Sequence, residues 1–530
     1  MERWKTLYGR NGDAIMWAKV TSIGLKGMEG YRINVEAGTY VGNDSFKIVG
    51  LPDMAVKESK ERIIAALRTL GFSLLGQKIT INLSPADQKK MGPMFDLPMA
   101  IALLLSLHEL EASIPEDTCF IGALSLDGSV QTIEGLLPAV LAAKKLGIRR
   151  IYLPNDDKLP SLHFLNLEMI YVTSLQDVIG HLSGQWSPPP LSIEKEKVEV
   201  ADFGDFDFQH VIGHSAAKDA LEIAAAGEHH VLMTGPPGCG KSMLASSFPS
   251  ILPALSKEAE LEVISLYQLS QTAYTQTKMP PFRSPHHSAS GVSIIGGGQY
   301  PKPGEISLAH RGVLFLDEIG EFSKKTLDML RQPLENGLIT ISRTHATITY
   351  PASFILIAAM NPCPCGYAGS KHRYCTCTPK QILFYQNKLS GPLRDRFDIH
   401  LSLCPVDFKA EEKEKNRESS SMIRKRVEGA RKRQYDRYGQ EICNGRVPYD
   451  QLLKTSPLTV EQQNHLQQHL IQYGWSNRTQ VKILRLARTI SDLEGSLHIT
   501  DQSIDQAIQL SVRHRLWTKS SICPPEVDSL

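Results

Sequence analysis

The pattern of apolar and polar positions divides the chain into three stretches. In the first, KITINL (78–83) places Ile or Leu at every second position, as a strand with one buried face requires. DLPMAIALLLSLHEL carries an apolar run too long for a strand and predicts a buried helix. LLPAVLAAKKLG predicts another, stopped by Gly147 before the strand-like RRIYLP. The pattern then breaks in GQWSPPPLSIEKEKVEV, where three prolines and a polar, charged run predict a linker. From about 205 to 405 strand-like runs, Gly-rich turns and helices alternate, which predicts a parallel α/β sheet. After 406 charged and Gln-rich helical segments dominate. The expected layout is an α+β domain over 1–184, a linker over 185–204, an α/β core over 205–405 and a helical domain over 406–530.

Composition narrows the function classes. A chain of 530 residues with 42% apolar residues is long enough for two or three cores. Net charge is only +2, so any nucleic-acid contact must come from local patches. The longest apolar run, Leu97 to Leu105, is too short to span a bilayer, and the first residues have no apolar core of signal-peptide type. The expectation is a cytoplasmic protein with no membrane contact. The cysteines number nine, an odd count that favours a metal or free thiols over a disulfide framework.

The strongest chemical signal is HHVLMTGPPGCGKSMLASSF. Gly235, Pro236, Pro237, Gly238, Cys239, Gly240, Lys241, Ser242 and Met243 form a phosphate loop between a short strand and a helix. Its glycines let backbone N–H groups surround phosphate oxygens, Lys241 reaches the β- and γ-phosphates, and the Ser242 hydroxyl ligates Mg²⁺. Downstream, GVLFLDEIGEF reads as a buried strand with Asp317 and Glu318 at its C-terminal end, where open α/β sheets bind ligands. Asp317 would hold Mg²⁺ and Glu318 would polarise the attacking water. FILIAAMN is a second buried strand, ending in Asn361, placed to bond a water or the γ-phosphate. SGPLRDRFDIH presents Arg394 and Arg396, either able to serve a neighbouring subunit's nucleotide.

In this order the motifs resemble the AAA+ ATPases, and within them the magnesium-chelatase-like YifB/ComM family. FRSPHHSASGVSIIGGG, PKPGEISLAHRGVLFLDEIGEF, AAMNPCPCGY and SNRTQVKILRLARTISDL extend the likeness over nearly the whole chain. The resemblance implies an AAA+ P-loop core, a C-terminal helical lid and an N-terminal Lon-protease-like domain. It implies that Asn361 is the first sensor, Arg396 the trans arginine finger and Arg478 the second sensor, although Arg394 stands where the family more often carries Leu. It also implies a homo-hexameric ring driven by ATP and Mg²⁺ and acting on branched or single-stranded DNA with recombination proteins. The type is the ComM branch-migration helicase that aids DNA integration in natural transformation. A protein remodeller or metal-chelatase motor is the alternative. Where Lon proteases carry a Ser–Lys dyad, this chain has Met94 and Leu137, leaving neither nucleophile nor base.

Three further features bear on what such a motor would grip. FRSPHHSASGVSIIGGGQYPKPGE is rich in Gly, Ser and Pro and reads as a mobile loop; its His286 and His287 lack spaced metal partners. LITISRTHATITYPA alternates as a β-hairpin around Arg343. Lys302, Arg343, Lys371 and Arg373 are candidate phosphate contacts, against the alternative of solvated surface charge. In the helical domain Arg424-Lys425-Arg426 recurs seven residues on as Arg431-Lys432-Arg433, which stacks the two clusters on one helix side and suits a phosphate backbone. Finally, Cys363, Cys365, Cys375 and Cys377 supply four soft ligands, the number of a closed Zn²⁺ site, with His372 as a substitute. A thiol–disulfide switch is the competing reading.

Overall fold

The computed structural model describes residues 7–8, 14–156, 159–160, 164, 166–185, 187, 206–274, 278–298, 301–343, 346–370, 373–405 and 418–512. The chain divides into two compact units, Met1–Val198 with Ile264–Gln276, and Glu199–Val263 with Thr277–Leu530. Most of the expected linker lies outside the described residues.

The first unit is a mixed sheet with helices against it. Its strand order is Glu168–Val172, Arg150–Pro154, Thr118–Phe120, Ala14–Lys26, Glu29–Val41, Gln77–Ser84, Ser45–Val49. The alternation in KITINL is realised: Ile79, Ile81 and Leu83 are buried while the residues between them are half-exposed. Every residue of the helix Asp96–Ser106 is buried, which is why its sequence is apolar all round. Asp96 is the exception in kind, and it is paired with Arg62 at 2.6 Å. Met94 and Leu137 are both buried.

The second unit is built on five parallel strands, β1 (Val231–Thr234), β2 (Phe282–Arg283), β3 (Val313–Leu316), β4 (Ile355–Met360) and β5 (Ile399–Ser402), in the order β2-β3-β4-β1-β5. Strands β1, β3 and β4 are buried at every position, matching their unbroken apolar runs. The first strand lies between β4 and β5, so the sheet reverses direction of winding beside it, and its C-terminal end is a natural crevice. Helices after residue 418 share one apolar core with this sheet: Val231, Ile357 and Leu401 belong to the same cluster as Ile423, Val427, Leu486 and Ile504. The helical tail is therefore not a separate compact unit.

Two expected insertions are present. Leu338–Arg343 and Ala346–Pro351 form an antiparallel hairpin with Arg343 opposite Ala346. The Gly-rich segment is more ordered than its composition suggests, with a short helix Gly291–Ile295 and a bridge of Gly296–Gly297 to Lys302–Pro303.

Of the two basic clusters on the helix Ser420–Tyr438, Lys425 and Lys432 are exposed while the four arginines are engaged within the chain. Arg424 donates to the Ser250 carbonyl at 2.9 Å, and Arg426 to Glu222 at 2.6 Å and Glu418 at 2.7 Å. Arg431 donates to the Ala225 carbonyl at 2.7 Å, and Arg433 to the Asp492 carbonyl at 3.0 Å. These arginines flank the buried stripe Ile423, Val427, Ala430 and Gln434, where carboxylates and carbonyls give charge-assisted bonds that water would otherwise supply. They pin the helix to the sheet. Among the described residues no helix is long and apolar enough to cross a membrane.

Candidate nucleotide site and cysteine cluster

β1 runs into the loop 235–240, and the helix Lys241–Ser247 leaves it. Gly238 and Gly240 hold φ of 78° and 82°, which turns the loop back on itself. The loop curls round the Lys241 side chain, which is nearly buried. Its Nζ donates to the carbonyls of Gly235 at 2.8 Å and Pro236 at 2.9 Å, and to Asn361 Oδ1 at 3.2 Å. Asn361 stands at the end of β4, immediately beside β1, so strand pairing delivers it to the ammonium. Cys239 is buried under the loop and Met243 is exposed.

Asp317 and Glu318 follow β3 on the far side of β4. Asp317 Oδ2 accepts from Ser242 Oγ at 2.8 Å, and its Oδ1 accepts from the Glu318 backbone N–H at 2.9 Å. Glu318 takes a left-handed backbone, with φ of 49°, which is uncommon for a residue bearing a side chain. Its carboxylate is exposed. Lys241 is thus joined to Asn361, and its neighbour Ser242 to Asp317, at the ends of three strands.

The arginines form a second group. Arg394 is tethered: it donates to the carbonyls of Gln386 at 2.7 Å and Leu389 at 3.4 Å. Arg396 instead donates to Glu335 Oε2 at 2.9 Å, and Arg478 lies 3.7 Å from Glu335 Oε1. Burial first, and then the like charge of Arg396, push the Arg478 pKa below the usual arginine value. Among the described residues the partner these two share is Glu335, not a P-loop group. Glu335 carried no signal in the sequence, since one acid near the end of a short helix is ordinary.

Around the cysteines the side chains converge. Cys363 Sγ lies 3.3 Å from Cys365 Sγ and 3.7 Å from Cys375 Sγ, and Cys365 lies 3.5 Å from Cys375. All four sulfurs, that of Cys377 included, fall within 4.8 Å of one another. Four thiolates at a bond length of about 2.3 Å round one tetrahedral ion stand about 3.8 Å apart, so the spacing fits a metal. Desolvation pushes the Cys365 thiol up, but the backbone N–H of Tyr367, the Cys363 thiol and the Thr376 N–H hold it down to about 6. Lys371 and His372 lie outside the described residues. Arg373 folds onto Tyr367, with its guanidinium 5.2 Å from the ring centre. His286 and His287 stack on each other at 4.0 Å and join no metal cluster among the described residues. Lys302 is half-buried and Arg343 exposed.

Comparison with known proteins matches the model described as "Magnesium chelatase, subunit ChlI" to residues 207–411. Related models for subunit ChlI match 35–157, and for its C-terminal part 417–511. The YifB protein of Escherichia coli K12 is 41% identical over 489 residues, covering 91% of this chain and 95% of its own. The competence protein ComM of Haemophilus influenzae is 38% identical over 511 residues, covering 95% and 99%. The chain belongs to the YifB/ComM family. Lon protease 2 of Bacillus subtilis is a more distant and partial relative, 26% identical over 198 residues, 36% of this chain and 35% of its own.

Membership in this magnesium-chelatase-like AAA+ family implies ATP and Mg²⁺ as ligands, and the donor set fits both. Ser242 Oγ and Asp317 Oδ2 place two hard oxygen donors side by side. Lys241 already spends its N–H groups on neutral carbonyls, and phosphate oxygens are stronger, charged acceptors for the same donors.

Proposed function

We propose that the chain is an ATP-hydrolysing ring motor, assembled as a hexamer, that works on DNA. The observation that carries the ATPase part is the pairing of Lys241 with Asn361 at 3.2 Å, and of the next residue, Ser242, with Asp317 at 2.8 Å, at the ends of adjacent strands. In this reading Lys241 and the loop N–H groups hold the phosphates, Ser242 and Asp317 are the Mg²⁺ ligands, and Asn361 and Glu318 position the attacking water. Mg²⁺ held by Ser242 and Asp317 would supply positive charge to the phosphates. The nearness of Arg396 and Arg478 at Glu335 supports a shared role: both reach the γ-phosphate of a neighbouring subunit, trading one carboxylate for a more highly charged partner. Arg394, held by backbone carbonyls, supports that helix end instead.

The DNA reading is supported by the likeness to a competence protein and by the hairpin that presents exposed Arg343. It takes the chain to be a branch-migration motor of the ComM type. The first unit is read as a Lon-like domain without protease chemistry, since buried Met94 and Leu137 supply neither hydroxyl nor amine. The helices beyond 418 are read as the lid. The family-model descriptions favour one second reading, a motor subunit that drives metal insertion through a protein partner. ATP turnover stimulated by forked DNA supports the first; stimulation only by a protein supports the second.

A further inference from the structure

The cysteine loop touches the nucleotide loop of its own chain. Gly366, between Cys365 and Tyr367, lies so close to Pro237 that a Cβ there would sit 2.7 Å from the proline Cδ and Cγ. Its φ of 83° independently demands glycine. At its start Cys363 stands two residues after Asn361, the acceptor of the Lys241 ammonium. At its end Thr378 caps the helix Pro379–Gln386, whose Gln386 donates to the Pro362 carbonyl at 3.3 Å. That helix buries Tyr385 against Gly320, two residues beyond Glu318; a Cβ on Gly320 would meet the tyrosine ring at 2.7 Å. One short segment therefore abuts the phosphate loop, the sensor strand and the turn carrying Asp317 and Glu318.

Among its described residues that segment has little core of its own. Cys363 is its one fully buried cysteine, while Cys365, Cys375 and Cys377 are half-exposed and Tyr374 is 90% exposed. Its closure brings four soft donors within 4.8 Å of one another, the number and spacing of a closed tetrahedral metal site.

Resting on the nucleotide-site reading above, we infer that the four cysteines take a thiophilic divalent cation, Zn²⁺ by chemistry, and that this metal braces Pro237 and so sets the affinity of the phosphate loop for nucleotide. A filled site fixes Gly366 against Pro237 and holds the loop N–H groups pointed inward before ATP arrives. An empty site leaves that wall slack, and nucleotide binding must then order it. The metal is a structural support: it does not touch phosphate.

The test measures metal content and binding of a fluorescent ATP analogue by the full-length protein, before and after stripping with a thiol-competent chelator. The expected result is one metal ion per chain and binding weakened about 10-fold on stripping, restored by Zn²⁺ and not by Mg²⁺. Gly366→Ala guards against simple unfolding, because it keeps every thiolate. It is expected to retain one metal ion per chain, keep its circular dichroism and still bind about 10-fold more weakly. Stripped protein that binds within about twofold of the loaded form overturns the inference. So does a metal-loaded Gly366→Ala protein with unchanged affinity, or wild type that binds nucleotide tightly with no metal. Metal-loaded wild type that binds no nucleotide at all defeats the nucleotide-site reading first, and the inference with it.

Discussion

Single residues divide the site's work between binding and turnover. Lys241→Ala removes the ammonium that two carbonyls, Asn361 and the Cys239 sulfur now surround, so nucleotide affinity is expected to fall about 100-fold, roughly two charge-assisted bonds. Equilibrium binding of labelled ATP checks it. Arg396→Ala is expected to leave ATP binding intact and slow turnover by about 10³-fold, as loss of a trans arginine does. Arg394→Ala is expected to destabilise the fold by about 1–3 kcal/mol through its two lost carbonyl bonds, with turnover per folded molecule kept. Steady-state turnover beside a denaturant melt separates the two arginines. His230 sets a pH dependence. Its Nδ1 accepts from the Leu356 N–H at 3.1 Å, joining β1 to β4, so the fold needs the neutral ring. Burial pushes its pKa down to about 4, against the opposing pull of Asp398, with Arg446 and His229 adding to the drop and Glu228 opposing it. The unfolded chain takes up a proton near pH 6.5 that the fold refuses until about pH 4, so stability falls as pH drops through that window. Melting temperatures from pH 7 to 5 check this. His230→Asn, which keeps an acceptor at the same place, is expected to flatten the curve there.

At the scale of elements, the phosphate loop, the strands β1, β3 and β4, and the hairpin were all legible in the sequence. Their signals are local: a fixed spacing, or an apolar run whose length tells strand from helix. Asp317 and Asn361 were readable for the same reason, because each ends such a run. The contacts between elements were not readable. Nothing in the spacing joins Glu335 to Arg396 and Arg478, or Gly366 to Pro237, since these partners lie far apart along the chain. The helix Ser420–Tyr438 shows the limit most clearly. Seven-residue spacing correctly put its two basic clusters on one side, but periodicity does not say whether charged positions beside a buried stripe face water or a neighbour's carbonyls. Arg424 and Arg431 bond main-chain carbonyls, and Arg426, though exposed, is engaged by Glu222 and Glu418. For the proposed DNA reading this leaves the hairpin's Arg343 as the better candidate. Arg343→Ala is accordingly expected to weaken DNA binding and reduce the salt dependence of log affinity by about one unit of slope. Lys425→Ala is expected to leave both near wild type. A salt titration of fluorescent forked DNA compares them.

For the molecule as a whole, the small net charge of +2 excludes a general attraction to nucleic acid. On the proposed reading, DNA engagement comes from a few basic side chains presented many times by a ring of subunits. In the same proposal the arginine pair at Glu335 would tie turnover to assembly, because a trans group acts only where a neighbour's nucleotide is brought to it. The measurement that bears most directly on this is the rate of ATP hydrolysis by the full-length protein with and without forked or four-way DNA, with Lys241→Ala as the control. The account predicts turnover that rises several-fold with branched DNA, depends on Arg396 and disappears in the Lys241 variant. Turnover indifferent to DNA but raised by a protein partner, or undiminished in Lys241→Ala, would contradict it.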